Sequence, residues 1–187
     1  MNTSAPKYRP KKWNNNKYIK NSHNCYSYFL NKINRNEIPR CRKSRKLNKI
    51  CNRPQPGYYN GISRKTEKNY SCKNMIKRIK SDNPNVKYKG KNNTFKCENN
   101  YYKGALVISK NINSNCDYHF YRENRNGNWS HKDGITRATD KDSKGRLIKD
   151  PKIASRKYKK CNYTKYCGYF CIPKNSRKKF MRHKNKL

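Results

Sequence analysis

The chain has 187 residues, 32% of them apolar, with 49 Lys and Arg against ten Asp and Glu and a formal net charge of +39. That length predicts one domain with tails, the small apolar share leaves the 16 Tyr to fill much of the core, and the longest apolar run (Ala105, Leu106, Val107, Ile108) is strand-sized, so no membrane span is predicted. A chain this cationic seeks a polyanion, and nucleic acid is the commonest one.

Residues 1–20 hold six Lys/Arg, no acid, Pro6 and Pro10, which predicts a mobile basic arm. Tyr26, Phe29, Leu30 and Ile33 then recur at helical spacing and predict a helix over 24–34. Ser22 or Asn24 would cap it, placing Cys25 in the first turn, where the helix dipole should lower its pKa. Residues 40–49 carry six positive charges, with Leu47, Ile50 and Cys51 as an inward face of a short helix. Residues 54–61 read as a loop by their Pro and Gly content. Cys72, Met75, Ile76 and Ile79 predict a second amphipathic helix over 71–80, ended by Pro84, with Lys73, Lys77, Arg78 and Lys80 outward.

Strand signals follow. Residues 104–109 read as a buried strand, 118–122 and 129–132 as a hairpin turned at 124–127, 138–150 as a polar loop, and 166–172 as a further strand stopped at Pro173. Residues 174–187 form a second basic tail with seven Lys/Arg and no acid. Helices first and antiparallel strands after give an α+β fold: N-terminal helices packed on an antiparallel sheet between flexible tails.

Three groups of residues bear chemistry. Cys25 needs an imidazole to hold its proton, and the strand residues His119 and His131 are the candidates, His119 the better; Asp140, Asp142 or Asp150 would orient it. Cys161, Cys167 and Cys171 lack zinc spacing, and no metal or cofactor is expected. Nine Cys without a signal peptide predict a reducing compartment during synthesis, although Cys41 and Cys51 could pair with other thiols under oxidation. Tyr58, Tyr59, Tyr101 and Tyr102 read as packing rather than base stacking.

Asn24, Cys25, Tyr26, Ser27 and Tyr28, the run Asp117 to Arg122 followed by Trp129 to Lys132, the loop 139–151, and Gly168 to Pro173 together resemble papain-like and NlpC/P60-like thiol hydrolases over residues 22–173. The resemblance implies that fold, with Cys25 as nucleophile and His119 as base of a vestigial triad; it does not fix the third member, for which Asp140 is taken. The whole chain also resembles highly basic proteins of giant amoeba-infecting DNA viruses, whose AT-rich genomes favour Asn and Lys. This implies a genome-condensing protein of the virion core and viral factory in the host cytoplasm.

Charge distribution supports the second resemblance. Residues 117–150 carry eight Lys/Arg and six acids, whereas 151–187 carry thirteen and none. A compact chain of this length is about 40 Å across and spans about 24 duplex phosphates, fewer than the net charge. The expected contacts are Lys11, Lys12, Arg40, Arg42, Lys43, Arg45, Lys46, Lys73, Lys77, Arg78, Arg177, Lys178, Lys179 and Arg182 on double-stranded DNA. RNA and a homo-oligomer stand as further partners, and no membrane is expected. The alternative is an active cysteine peptidase or amidase carried in the virion. In domain terms the reading is arm 1–20, domain 21–173 and tail 174–187.

Overall fold

In a computed structural model, which describes residues 4–62, 71–109, 117–159, 161–175 and 179, the chain is α+β. Among the described residues, five helices precede a six-stranded antiparallel sheet: α1 (Lys11–Asn14), α2 (Lys17–Ser22), α3 (Cys25–Phe29), α4 (Glu37–Lys46), α5 (Cys72–Asp82), β1 (Lys87–Gly90), β2 (Tyr101–Ile108), β3 (Tyr118–Glu123), β4 (Trp129–Lys132), β5 (Ala138–Thr139) and β6 (Lys165–Pro173). The strand order is β1-β6-β2-β3-β4-β5.

Alternation along the strands sets two apolar layers. Tyr102, Leu106, Ile108, Tyr118 and Phe120 face α3 and α5, meeting Tyr26, Phe29, Leu30, Met75 and Ile79. Ala105, Val107, Tyr121, Trp129 and Tyr169 face the opposite side, which loops cover through Ile148 and Tyr163. Helix α3 lies close because β2 carries Gly104 beneath it: a Cβ there would stand 2.4 Å from the Phe29 ring.

Three disulfides fasten this arrangement. Cys72–Cys167 joins α5 to β6, Cys97–Cys171 joins the β1–β2 loop to β6, and Cys41–Cys51 closes the chain after α4. Cys161 is also disulfide-bonded, and Cys25 is free. The folded chain therefore needs oxidation, where the sequence suggested reduced thiols.

Other expectations change too. The basic arm is not mobile over its described part: Ala5 and Trp13 are buried, and Asn14 exchanges two hydrogen bonds with the Ala138 backbone (2.7 and 3.2 Å). Trp13, which follows Lys11 and Lys12, packs at 4.9 Å from the Tyr28 ring. Helix α3 stops early because Asn31 turns left-handed (φ 50°), which sends Ile33 to the Trp13 cluster. Leu47 and Ile50 point outward, 57% and 79% exposed, because α4 packs on α2 rather than on the sheet. Strand β1 went unread, since three of its four residues are exposed and polar or aromatic. The tail is described only at 174, 175 and 179, where Asn83 holds the Lys179 backbone through both its carbonyl and its N–H (2.7 and 3.0 Å).

Candidate functional site

Helix α3 begins with a complete capping box. The Asn24 side chain accepts from the Tyr26 and Ser27 N–H groups, and the Ser27 hydroxyl accepts from the Asn24 N–H. Asn24 is itself pinned by its amide to the Pro54 carbonyl at 2.7 Å. This fixes Cys25 at the helix start, as the sequence implies. The thiol is not activated, however. Burial pushes its pKa well up, Asp117 and Asp133 push it further, and the Phe120 backbone hydrogen bond and Lys132 only partly oppose them. A short helix dipole, typically worth 0.3–1 kcal/mol, loses to complete desolvation.

Strand β4 ends at Lys132, and around that end Cys25 and His119 share neighbours. Asp133 raises the Cys25 thiol and lies 3.8 Å from His119 Nδ1, while the Tyr163 ring stacks 5.3 Å from the His119 ring and also feels Cys25. Burial lowers His119 to about 3, so the imidazole is neutral and its approach to Asp133 is not an ion pair.

Hydrogen bonds fix the tautomers. His131 Nε2 lies 3.0 Å from the Lys141 carbonyl, which can only accept, so Nε2 carries the proton. His131 Nδ1 is then an acceptor and takes the Nε2–H of His119 at 2.8 Å. His119 Nδ1 is left as a bare lone pair, buried and with no hydrogen-bond partner among the described residues. A base is thus oriented toward the end of β4, but no hydrogen bond joins it to Cys25.

None of the three sequence-selected acids touches His119. Asp140 gives its carbonyl to the Ile148 N–H and acts on Tyr8. Asp142 is bound by Arg146 at 2.9 Å and by backbone N–H groups. Asp150 accepts from the Tyr169 hydroxyl and the Lys152 N–H. The partner is His131, and a sequence signal for it existed: a turn at 124–128 sets Tyr121 opposite His131, which puts His119 on the same face one diagonal away. Asp133, next to β4, also went unread.

The basic surface is distributed over several elements. Lys11, Lys12, Arg40, Arg42, Lys43, Arg45, Lys46, Lys73, Lys77 and Lys179 are exposed. Arg78 is instead 4% exposed, because it lies on the apolar side of α5. Arg177, Lys178 and Arg182 lie outside the described residues. The fold adds a grouping invisible in the sequence: the Lys12 pKa is lowered first by burial and then by Arg122, Arg9, Arg35 and Lys32. The N-terminal segment and the turn after α3 therefore bring exposed cations of the same sign together. On α4 and α2, Lys17 and Arg42 both lie over the Tyr18 ring at 5.3 and 5.2 Å.

Acids answer part of this: Glu37 binds Arg40 at 2.7 Å and Asp142 binds Arg146 at 2.9 Å. Glu37, Asp82 and Asp142 are buried, with Asp82 accepting from the Gly57 and Asn60 N–H groups. Glu98 is held by Lys87 at 2.7 Å. Among the described residues no group of three or more His, Cys, Asp or Glu could hold a metal ion.

No family model matches the chain, and no solved structure matches it. Forty residues, 21% of the chain, are 55% identical to insoluble matrix shell protein 1 of Ruditapes philippinarum, and the match spans 27% of that protein's length.

Proposed function

We propose that the protein is a non-specific double-stranded DNA-binding protein that condenses and packages a viral genome through phosphate contacts. The observation that carries this is the exposed cationic surface of Arg9, Lys12, Lys32 and Arg35 and of the run from Arg42 to Lys49 on and after α4, to which the described acids supply few partners. Assembling like charges is unfavourable unless a polyanion answers them. A net charge of +39 exceeds the roughly 24 phosphates under one footprint, so charge remains to draw a second duplex. The disulfides suit a virus particle that matures under oxidising conditions. The matched shell protein's name describes a matrix and does not bear on the choice of polyanion.

The test is a salt titration of duplex binding by fluorescence anisotropy, with compaction followed by light scattering. Affinity should fall about a thousandfold or more between 50 and 200 mM salt, the loss typical of six or more phosphate contacts. Cys25→Ala should behave as the parent. Weak binding at 0.1 M salt, or a clear preference for RNA, would overturn the proposal.

A second reading is an active thiol hydrolase on a papain-like or NlpC/P60-like scaffold, favoured by the bare Nδ1 of His119 held by His131. In it the Cys25 thiol gives its proton to His119 Nδ1 as its sulfur attacks an amide carbonyl carbon, and the imidazolium passes that proton to the leaving amine as the C–N bond breaks. His131 steadies the imidazolium through Nδ1. The closed, buried thiol makes this the lesser reading. Labelling of Cys25 by an electrophilic substrate analogue, lost in His119→Ala, would raise it above the first.

A further inference from the structure

The chain following α4 presents two aliphatic side chains to solvent in the middle of a cationic run. Leu47 is 57% exposed and Ile50 79%. Arg45 and Lys46 precede Leu47, Lys49 stands between the pair, and Arg42 and Lys43 lie one turn back, all exposed. No acid occurs between Glu37 and Glu67.

The tip is rigid. Asn48 adopts a left-handed conformation (φ 53°), the Lys49 N–H donates to the Ser44 carbonyl at 2.8 Å, and the Asn48 N–H donates to the Arg45 carbonyl at 3.1 Å. That pair of bonds is a Schellman motif. Such a motif usually buries an apolar contact across its ends, but here those positions are Ser44 and Lys49. Leu47 and Ile50 therefore stay outside the motif's packing. Three residues after Asn48, Cys51 is covalently tied back to Cys41 in the helix. The tip keeps its shape without burying either side chain.

We propose that Leu47 and Ile50 form an apolar wedge that enters a base step of duplex DNA from the minor groove and kinks it. The flanking Arg42, Lys43, Arg45, Lys46 and Lys49 hold the phosphates on either side. Aliphatic side chains inserted between bases, with cations gripping the backbone, are how architectural proteins bend DNA. A lipid surface fits less well. An interfacial helix needs a broad apolar face, and the fully exposed residues of α4 are cationic apart from Pro39, with Ile38, Cys41 and Ser44 partly or fully covered. Two side chains bracketed by cations match a narrow slot between two phosphate rows. The wedge rests on the DNA-binding reading and gives the condensing protein a means of bending what it coats.

The test uses the full oxidised chain and its Leu47→Ala/Ile50→Ala form, which keeps every charge and removes only exposed side chains. Three readouts are taken: the salt slope of duplex binding, the bend of an end-labelled 30-base-pair duplex by energy transfer, and co-sedimentation with phosphatidylserine–phosphatidylcholine vesicles. The parent should bend the duplex and prefer a mismatched, pre-unstacked duplex by about tenfold, since unstacking there is already partly done. The variant should keep the salt slope while losing both the bend and the preference. An unchanged bend in the variant would overturn the wedge and leave DNA binding standing. Absence of duplex binding by the parent would overturn both. Vesicle binding lost in the variant, with DNA bending intact, would assign the tip to anionic lipid instead.

Discussion

His119 Nε2 and His131 Nδ1 lie 2.8 Å apart in the loop-covered layer of the sheet, and the Lys141 carbonyl at the far side of His131 dictates which nitrogen holds each proton. One backbone carbonyl thereby determines the state of an atom two imidazoles away. The free lone pair of His119 lies 3.8 Å from Asp133, and the Cys25 thiol, packed in the helix-side layer, stays protonated through burial.

Cys25 should be nearly inert in the native protein. Burial both disfavours the thiolate and bars the reagent, so alkylation by iodoacetamide at pH 7.5 should run much slower than for an unstructured cysteine peptide. Mass spectrometry should find Cys25 labelled only after unfolding in guanidinium. Labelling at the peptide's rate would show that the pocket opens.

Acid should unfold the protein through its buried histidines. Burial first, eased by an Ile19 backbone bond, takes His23 to about 4; burial takes His119 and His131 to about 3. Unfolded imidazoles titrate near 6.5, so between 6.5 and 3 the unfolded chain binds more protons. The stabilisation is complete above 6.5 and falls as pH drops through the folded values, at up to about 1.4 kcal/mol per unit for each group. His119→Gln should flatten the fall of Tm between pH 6 and 4.

Lys132 gives the alkaline counterpart. Its buried amine donates to the Lys20 and Gly134 carbonyls, both at 2.7 Å, and burial, partly offset by Cys25, lowers it to about 7. From 7 to the unfolded value near 10.4 the unfolded chain is the more protonated, so stability should rise with pH there. Lys132→Met should remove that rise, and the Tm gap between parent and variant should widen from pH 7 to 10. Parallel curves would mean that the amine stays charged.

Gly104→Ala tests the approach of α3. With a Cβ 2.4 Å from Phe29 and 2.6 Å from Ile172, either the helix or both side chains must move. Overpacking of this kind costs about 1–3 kcal/mol, roughly 2–12 °C in Tm for a chain of this size. An unchanged Tm would show that the layer is loose.

Replacing Arg9, Lys12, Lys32 and Arg35 by Gln should reduce the salt slope of duplex binding by about 3–4 if all four meet phosphates. A matched replacement of four other exposed lysines with equal effect would show that total charge, not this grouping, governs binding.

Helix α5 was legible to within two residues because its apolar spacing and the Ser71 cap agree, and the 118–132 hairpin because its turn is local. The rest depended on distant pairings. Trp13 went unread within the charged arm, since only the fold brings Tyr28 and Ala138 to it. Leu47 and Ile50 share the spacing of an inward face, and only the docking of α4 on α2 turns them outward. Cys25 was placed correctly and its reactivity was not, since the dipole is a local property and desolvation belongs to the whole fold.

The deployment of the acids carries a consequence for release. Exposed Lys and Arg side chains keep their charge across pH 5 to 9, Lys132 being buried, and Glu37, Asp82 and Asp142 sit inside while Glu98 is already spoken for by Lys87. Among the described residues the exposed Lys and Arg thus give the outward field no proton-operated component over that range. Whatever this chain grips, acidification will not loosen it; detachment requires a competing polyanion, concentrated salt, or chemistry that neutralises the lysines themselves.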